Sequence, residues 1–238
     1  MPIRARFGVI ALVLIAGAAL AQQPVYETRV DHDPEGIGKF YHGREIAQTM
    51  GPGGIPWLDR PERQDEERPD TVIQAMKLKP GEVVADLGAG SGYFSVRMAP
   101  KLLPGGKVLA VEIQDEMLDA IRARAAETKS TNVEAVKGTE TDPMLPEKGV
   151  DIVLMVDVYH ELSDPLEVMR KVTASLKPGG RVVFVEYRKE DPSVPIKELH
   201  KMALAQLDLE MEAVGLKRVE TIETLPLQHI AIYAANGT

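Results

Sequence analysis

The 238-residue chain contains no cysteine, and this absence excludes several kinds of chemistry. Without thiols there is no structural disulfide, no thiolate nucleophile and no cysteine ligand for a metal ion. No metal site is predicted from the sequence. A lipoprotein anchor is not expected either, because that anchor needs a cysteine after the leader peptide.

Basic residues are too few for a nucleic-acid-binding surface. The chain carries 28 lysines and arginines against 36 acidic residues, a formal net charge of −8. Proteins that bind phosphate backbones concentrate positive charge on one face, so we expect a small-molecule partner and no nucleic acid. The hydrophobic and charged fractions, 44% and 27%, are ordinary for a soluble globular protein.

Long hydrophobic runs are also missing, except near the N-terminus. Arg4 and Arg6 precede an apolar run at residues 7–20, which ends in Ala19-Leu20-Ala21. This pattern is typical of a secretory signal peptide. We therefore expect residues 1–21 to be removed, the protein to be exported to the periplasm or secreted, and no stable membrane insertion to follow. The run is short for a membrane span, but an uncleaved N-terminal anchor is the alternative.

Residues 22–70 are rich in turn-forming residues and resemble an arm more than a domain. The sequence predicts a short helix at residues 39–50 and a charged, solvated helix face at residues 62–70. Aromatic and charged residues mix around Tyr41 and Trp57. The arm is interpreted as a lid over a pocket, and the alternative is that Trp57 only anchors the arm to the core.

From residue 71 to the C-terminus, helical and strand patterns alternate, which predicts one α/β domain with a parallel sheet and helices on both faces. Strands are predicted at residues 83–87, 107–111, 133–136, 150–156, 181–186, 216–222 and 229–234. Helices are predicted at residues 71–76, 93–103, 115–129, 165–176 and 196–214. Too few residues join the last two strands for a crossover helix, so they should be antiparallel.

A glycine-rich segment, Asp86-Leu87-Gly88-Ala89-Gly90-Ser91-Gly92, follows the first of these strands. Glycines after a strand let the backbone approach a ligand closely, although a tight strand–helix turn alone would also use them. Glu112 ends the second strand, 20 residues after Gly92. An acid at that place accepts hydrogen bonds from ribose hydroxyls of an adenosyl ligand.

These segments resemble the class I S-adenosylmethionine-dependent methyltransferase family. The resemblance is carried by residues 83–93, by Glu112, and by residues 150–154 and 176–181. It implies a Rossmann-like, seven-stranded, mostly parallel sheet with an antiparallel last strand, and S-adenosylmethionine as cofactor. The residues predicted to bind this cofactor are Asp86, Gly88, Ala89, Gly90, Gly92, Glu112, Ile113 and Asp142.

The adenine contact is the point where this sequence departs from the family. The family often places an acid directly after the third strand, where this chain has Thr139 after Gly138. Asp142 is the predicted adenine partner, and Glu140 is the alternative.

The fourth strand ends in Asp157-Val158-Tyr159-His160, and ligands in such folds bind beyond the carboxyl ends of the strands. Asp157 and His160 are therefore the candidate catalytic residues: His160 as a general base on an acceptor hydroxyl or amine, Asp157 as a ligand to donor or acceptor. The alternative is that both only cap or brace the next helix. Glu186 and Tyr187 should reach the same rim, unless they form a polar strand end in solvent.

Two other functions share parts of this pattern. A nicotinamide-dependent oxidoreductase would also use a glycine turn and Glu112, but its usual spacing is G-x-G-x-x-G, whereas Gly88, Gly90 and Gly92 give G-x-G-x-G. A non-catalytic protein that binds an adenosyl ligand would have the same glycine loop and the same acid, Glu112. The sequence does not identify the methyl acceptor.

Overall fold

A computed structural model describes residues 25–235. The predicted signal peptide, residues 1–21, lies outside the described residues. Within residues 25–235, no helix is both long enough and apolar enough to span a bilayer.

Eleven strands and seven α-helices are found in the described part of the chain. The strands are β1 (Tyr26–Thr28), β2 (Gly36–Tyr41), β3 (Arg44–Ala47), β4 (Val83–Leu87), β5 (Lys107–Glu112), β6 (Val133–Lys137), β7 (Val150–Val156), β8 (Leu176–Arg188), β9 (Lys201–Met202), β10 (Leu216–Ile222) and β11 (Gln228–Ala235). The helices are α1 (Ile55–Leu58), α2 (Arg63–Glu66), α3 (Pro69–Ala75), α4 (Tyr93–Met98), α5 (Asp115–Glu127), α6 (Pro165–Ser175) and α7 (Leu204–Glu212).

The first three strands form a small antiparallel sheet, so the helix predicted at residues 39–50 is wrong. His42 and Gly43 both have positive φ, 48° and 82°, which is the conformation of a tight two-residue hairpin turn. Tyr41 pairs with Arg44 across this turn. The hairpin buries Tyr41 and Ile46 in a small cluster with Leu166, and this burial outweighs local helix propensity.

The central sheet has the order β10-β11-β8-β7-β4-β5-β6, and the two-residue β9 pairs with the end of β8. Pairs among β6, β5, β4, β7 and β8 are parallel, whereas β11 runs antiparallel to both of its neighbours. The predicted seven-stranded sheet with a reversed last strand is confirmed. The short β9 is an addition to it.

The helix predicted at residues 196–214 is too long at its N-terminal end. A 3₁₀ turn at Glu198–His200 and strand β9 precede α7. Lys201 and Met202 pair with the end of β8 instead of continuing a helix, and both are buried there. Similarly, α4 gives way to a 3₁₀ turn at Ala99–Leu102, because Pro100 cannot supply a helical hydrogen bond.

The core lies on both faces of the central sheet, since successive side chains of a strand point to opposite sides. Phe184 packs with Met169 of α6 and Met211 of α7. Its neighbour Val183 packs on the other face with Val72 of α3 and, further along, Met98 of α4. Helices therefore cover both faces as predicted, and the carboxyl ends of the parallel strands are left to form a site.

Candidate active site

A cavity of about 590 Å³ opens at the carboxyl ends of β4, β5 and β7, beneath the N-terminal arm. The residues predicted to bind the cofactor or to act in catalysis line this cavity, except Gly92 and Asp142. The cavity wall includes Asp86, Gly88, Glu112, Asp157, His160 and Trp57.

The glycine loop borders the cavity with backbone rather than side chains. Gly88, Gly90 and Gly92 have φ of 69°, 55° and 77°, a region that favours glycine. A Cβ on Gly88 would lie 2.5 Å from Cγ2 of Val158, and one on Gly90 would lie 2.7 Å from Cδ1 of Leu58. Larger residues would therefore close the space that the loop leaves for a ligand.

Glu112 connects the end of β5 to this loop. Its Oε2 accepts a hydrogen bond from the Gly90 N–H at 3.1 Å, and its Oε1 accepts from the N–H groups of Ile113 and Gln114 at 2.6 and 3.2 Å. Burial raises the pKa of Glu112, and these three backbone hydrogen bonds oppose the rise. Glu112 is thus a fixed acceptor on the cavity wall, beside the half-exposed side chain of Ile113.

Asp86 is buried under the loop at the end of β4. Its Oδ2 accepts a hydrogen bond of 2.6 Å from the Ser95 hydroxyl on α4. Burial raises the pKa of the Asp86 carboxyl to about 6, and the Ser95 hydrogen bond counteracts part of the burial.

Asp142 is the predicted site residue whose side chain is bound elsewhere. Its carboxylate accepts a hydrogen bond from the Met144 N–H at 2.8 Å and forms an ion pair with Lys171 at 3.2 Å. Asp142 is not among the residues that line the cavity, whereas Thr139 and Glu140 are. The adenine role of Asp142 stays a prediction without geometric support, and Glu140 is the acid that the cavity presents in this segment.

Asp157 stands at the end of β7 with φ of 53°. Its Oδ2 accepts a hydrogen bond of 2.7 Å from Gln228, and its Oδ1 is buried without a hydrogen-bond partner among the described residues. Burial, with the charges of Glu67 and Glu186, raises the pKa of Asp157 well above its usual range. Asp157 makes no side-chain cap on the turn or helix that follows. Asp157 therefore lines the cavity as a residue while one of its carboxyl oxygens is buried without a partner among the described residues.

His160 is held between two side chains from other segments. Nδ1 lies 2.6 Å from Oε2 of Glu186, whose Oε1 accepts a hydrogen bond from the Tyr159 N–H at 2.9 Å. Nε2 lies 3.1 Å from Nδ1 of His200. Because the buried Glu186 carboxylate accepts from Nδ1–H, Nε2 is left with its lone pair. Glu186 is buried behind His160 and does not itself line the cavity, whereas its neighbour Tyr187 does.

His200 and Glu161 also lie at this rim, and the sequence did not point to either of them. Oε1 of Glu161 lies 3.5 Å from Nδ1 of His200 and 3.8 Å from Nε2 of His160. Forty residues separate the two histidines along the chain, and residue 200 falls within a segment whose pattern predicts a helix. In the sequence, the position of Glu161 next to the candidate residue His160 was the one feature that could have indicated a role for Glu161.

The arm is fastened to the domain by polar contacts. The Ser91 hydroxyl of the glycine loop donates to Oδ1 of Asp59 at 2.7 Å, and the Tyr93 hydroxyl donates to Gln64 at 2.9 Å. Trp57 is 49% exposed and lines the cavity, with the Arg60 guanidinium stacked 3.7 Å above its ring centre. Trp57 therefore faces the cavity and is not a buried anchor.

Comparison with known proteins assigns the family. The family model for the methyltransferase domain matches residues 78–225, more than half of the chain. The chain belongs to this family, the class I S-adenosylmethionine-dependent methyltransferases.

Particular relatives agree with this assignment. A demethylmenaquinone methyltransferase of Listeria monocytogenes is 26% identical over 124 residues, which are 52% of each chain. The chain thus spans about half the length of the curated relatives it matches. A solved S-adenosylmethionine-dependent methyltransferase from Aquifex aeolicus is 25% identical with a TM-score of 0.73, and the match covers 78% of this chain and 98% of that one.

A methyltransferase from Geobacter sulfurreducens, solved with S-adenosylhomocysteine, shares the fold. Its TM-score is 0.54 at 18% identity, and the match covers 74% of each chain. The family uses S-adenosylmethionine as its cofactor.

Proposed function

We propose that this chain transfers the methyl group of S-adenosylmethionine to a small, hydroxylated aromatic or quinol-like acceptor. The observation that carries the proposal is the convergence of the glycine loop, Glu112 and Asp157 on one cavity. Family membership argues against the alternative function, a nicotinamide-dependent oxidoreductase. Demethylmenaquinone methyltransferases are among the relatives of this chain, and their name motivates the acceptor class.

The residues at the loop fit the cofactor. Gly88 and Gly90 let the cofactor approach the backbone of the loop, and Glu112 offers carboxylate oxygens to the ribose hydroxyls. The unpaired Oδ1 of Asp157 would accept from the ammonium group of the methionine part. That cation would also favour the charged form of Asp157, whose pKa burial otherwise raises.

The acceptor side of the cavity is mixed in character. Apolar side chains, including Trp57, Ile113 and Ile196, share the wall with polar residues. An aromatic ring would pack on the apolar wall and direct its hydroxyl toward the His160 rim. Methyl transfer then forms a bond from an oxygen or an activated ring carbon of the acceptor to the methyl carbon as the CH₃–S bond breaks, and the protein contributes alignment and exclusion of water.

His160 is placed to accept the acceptor's proton in this scheme. The Glu186 carboxylate fixes Nδ1–H and stabilises the imidazolium that forms. This general-base role, and the ligand role of Asp157, are parts of the proposal that mutagenesis must test.

The test uses S-adenosylhomocysteine binding, measured calorimetrically, in Glu112→Gln and in the matched control Glu116→Gln. Glu116 is an exposed acid in the first turn of α5. The Glu112→Gln change would place an amide donor among backbone N–H groups, so we expect affinity to fall about 10–100-fold, the equivalent of one or two lost hydrogen bonds to a charged group. The control should bind as the parent does.

Equal affinity in both variants would contradict the cofactor assignment. A protein that binds S-adenosylhomocysteine but forms none from S-adenosylmethionine with naphthoquinol or phenolic acceptors would instead support the non-catalytic binding alternative. Saturable NAD binding in place of the adenosyl ligand would support the oxidoreductase.

A further inference from the structure

We infer that His160, Glu161 and His200 form a binding site for a divalent transition-metal ion at the acceptor end of the cavity. The inference rests on the proposed function only for the ion's role, because the site itself follows from the geometry of three side chains. Each residue offers one ligand atom, and all three line the cavity.

The distances among the donor atoms suit a shared cation. Nε2 of His160 and Nδ1 of His200 are 3.1 Å apart, and Oε1 of Glu161 is 3.8 and 3.5 Å from them. Metal–nitrogen and metal–oxygen bonds of about 2.0–2.1 Å separate tetrahedral ligands by about 3.4 Å and adjacent octahedral ligands by about 3.0 Å. The three measured separations bracket the tetrahedral value.

A carboxylate outside the proposed metal site already orients one of its ligands, His160. The buried Glu186 carboxylate accepts a hydrogen bond from Nδ1–H of His160, which fixes the tautomer with a lone pair on Nε2. Metal-binding histidines almost always make such a contact with a carboxylate or carbonyl. Glu186 is itself fixed by the Tyr159 N–H.

Glu161 is positioned by the arm. Its Oε2 accepts a hydrogen bond from the Met50 N–H at 3.0 Å, which leaves Oε1 directed at the two histidines. Two imidazoles and one carboxylate are a donor set for Zn²⁺ or Fe²⁺, with coordination positions left open. Because all three residues line the cavity, an acceptor in the cavity would reach those positions.

The ion would act on the acceptor by binding its oxygen and lowering the pKa of the hydroxyl. The proton would leave to solvent, and the bound oxygen would then attack the methyl carbon as the bond to sulfur breaks. This role replaces the general-base role of His160, because a metal ion and a proton compete for the same Nε2 lone pair.

The experiment titrates chelator-treated full chain with Co²⁺ and Zn²⁺, and follows the visible absorption of Co²⁺ and the heat of Zn²⁺ binding. We expect one equivalent of each to bind. The partly exposed His200 is the residue to replace first, and His200→Ala should weaken binding at least ~100-fold, because loss of a direct ligand costs at least as much as the ~10–100-fold lost when an outer hydrogen-bond partner is mutated. His32→Ala is the control, because His32 also faces a carboxylate, Glu45 at 3.1 Å, but lies in the loop between β1 and β2. Its binding should be unchanged.

Glu186→Gln tests whether the Glu186 carboxylate orients His160 for metal binding. An amide NH₂ facing Nδ1 would reverse the His160 tautomer and place the proton on Nε2, so we expect metal affinity to fall about 10–100-fold. Acetohydroxamate, a chelating oxygen ligand, should shift the Co²⁺ absorption if open positions face the cavity. An unshifted spectrum would overturn the acceptor-binding role.

Absence of a one-equivalent site, or equal affinity in His200→Ala and the parent, would overturn the metal site. S-adenosylhomocysteine binding in the same samples keeps the two proposals apart. Intact metal binding without adenosyl binding would reject the proposed function alone, and the reverse result would reject the metal site alone.

Discussion

Each glycine of the cofactor loop has two distinct physical reasons for being glycine. One is positive φ, which costs an L-residue roughly 1–2 kcal/mol. The other is space, because a Cβ on Gly88 would collide with both methyl groups of Val158 at 2.5 and 2.6 Å. Gly179 has a similar φ of 79° but no atom within 4 Å of its ideal Cβ, so the two effects can be separated.

We therefore compare Gly88→Ala with Gly179→Ala. Both variants should lose about 1 kcal/mol of unfolding free energy from backbone strain, measured by urea denaturation. Only Gly88→Ala should also lose at least ~10-fold in S-adenosylhomocysteine affinity, about 1.4 kcal/mol, because its methyl group displaces Val158 on the cavity wall. Equal affinity in both variants would show that the space at Gly88 is not used by the ligand.

Asp86 supplies a pH-dependent prediction. Its pKa is 3.8 unperturbed and about 6 in the folded protein. Because the folded state holds the proton more tightly, this group favours folding at low pH, and its contribution is lost as pH rises through about 6. One pKa unit is about 1.36 kcal/mol, so the unfolding free energy should fall by about 1 kcal/mol between about pH 5 and pH 8 from this group alone.

The Asp86→Asn variant has no titrating carboxyl at this position, so it serves as the reference for the parent protein. The stability of the parent minus that of the variant, measured by urea denaturation, should be about 1 kcal/mol smaller at about pH 8 than at about pH 5. A difference that does not change with pH would mean that Asp86 titrates alike in the folded and unfolded chains.

Among the elements, α2 of the arm is fixed by buried charges. Glu67, directly after α2, accepts from Arg63 at 2.6 Å and from Arg60 at 2.9 Å, and both Arg63 and Glu67 are buried. Removal of one partner from a buried ion pair leaves the other charge uncompensated, at a cost of about 3–5 kcal/mol. We therefore propose that Glu67 holds the arm segment in place beside the cavity.

Glu67→Gln should lower the unfolding free energy by about 3 kcal/mol and expose the arm segment 52–68 to limited proteolysis. The control is Asp119→Asn, which breaks an exposed pair with Arg122 on α5 and should change stability by less than about 0.5 kcal/mol. If Glu67→Gln proves as mild as this control and its arm resists protease, the buried cluster does not hold the lid.

At the scale of the whole molecule, the sequence pattern raises the question of where the enzyme acts. We propose that residues 1–21 are removed on export, on the basis of Arg4, Arg6 and Ala19-Leu20-Ala21. N-terminal sequencing of protein from the periplasmic and secreted fractions should find Gln22, or a neighbouring residue, as the first. An intact Met1 in the cytosolic fraction would contradict this proposal.

The sheet and its site were predictable to different degrees. Strand patterns, the glycine loop and Glu112 are local signals, because they arise from residues close together in the chain. The β2–β3 hairpin was missed because its strands are short and its turn, His42-Gly43, lacks the asparagine or aspartate that usually marks it. Strand β9 was missed because two residues carry no periodicity.

Local sequence was enough to predict where the cofactor binds: a strand, a glycine turn and an acid at fixed spacing suffice, since each piece is set by backbone geometry near its own position. The cluster around His160 depends instead on tertiary packing. His160, Glu186 and His200 come from three separate segments, and the contacts among them depend on how β8 and the turn before β9 pack beside β7. Asp142 pairs with Lys171 of α6, and Glu140 lies on the cavity wall; no spacing in the chain specifies this difference.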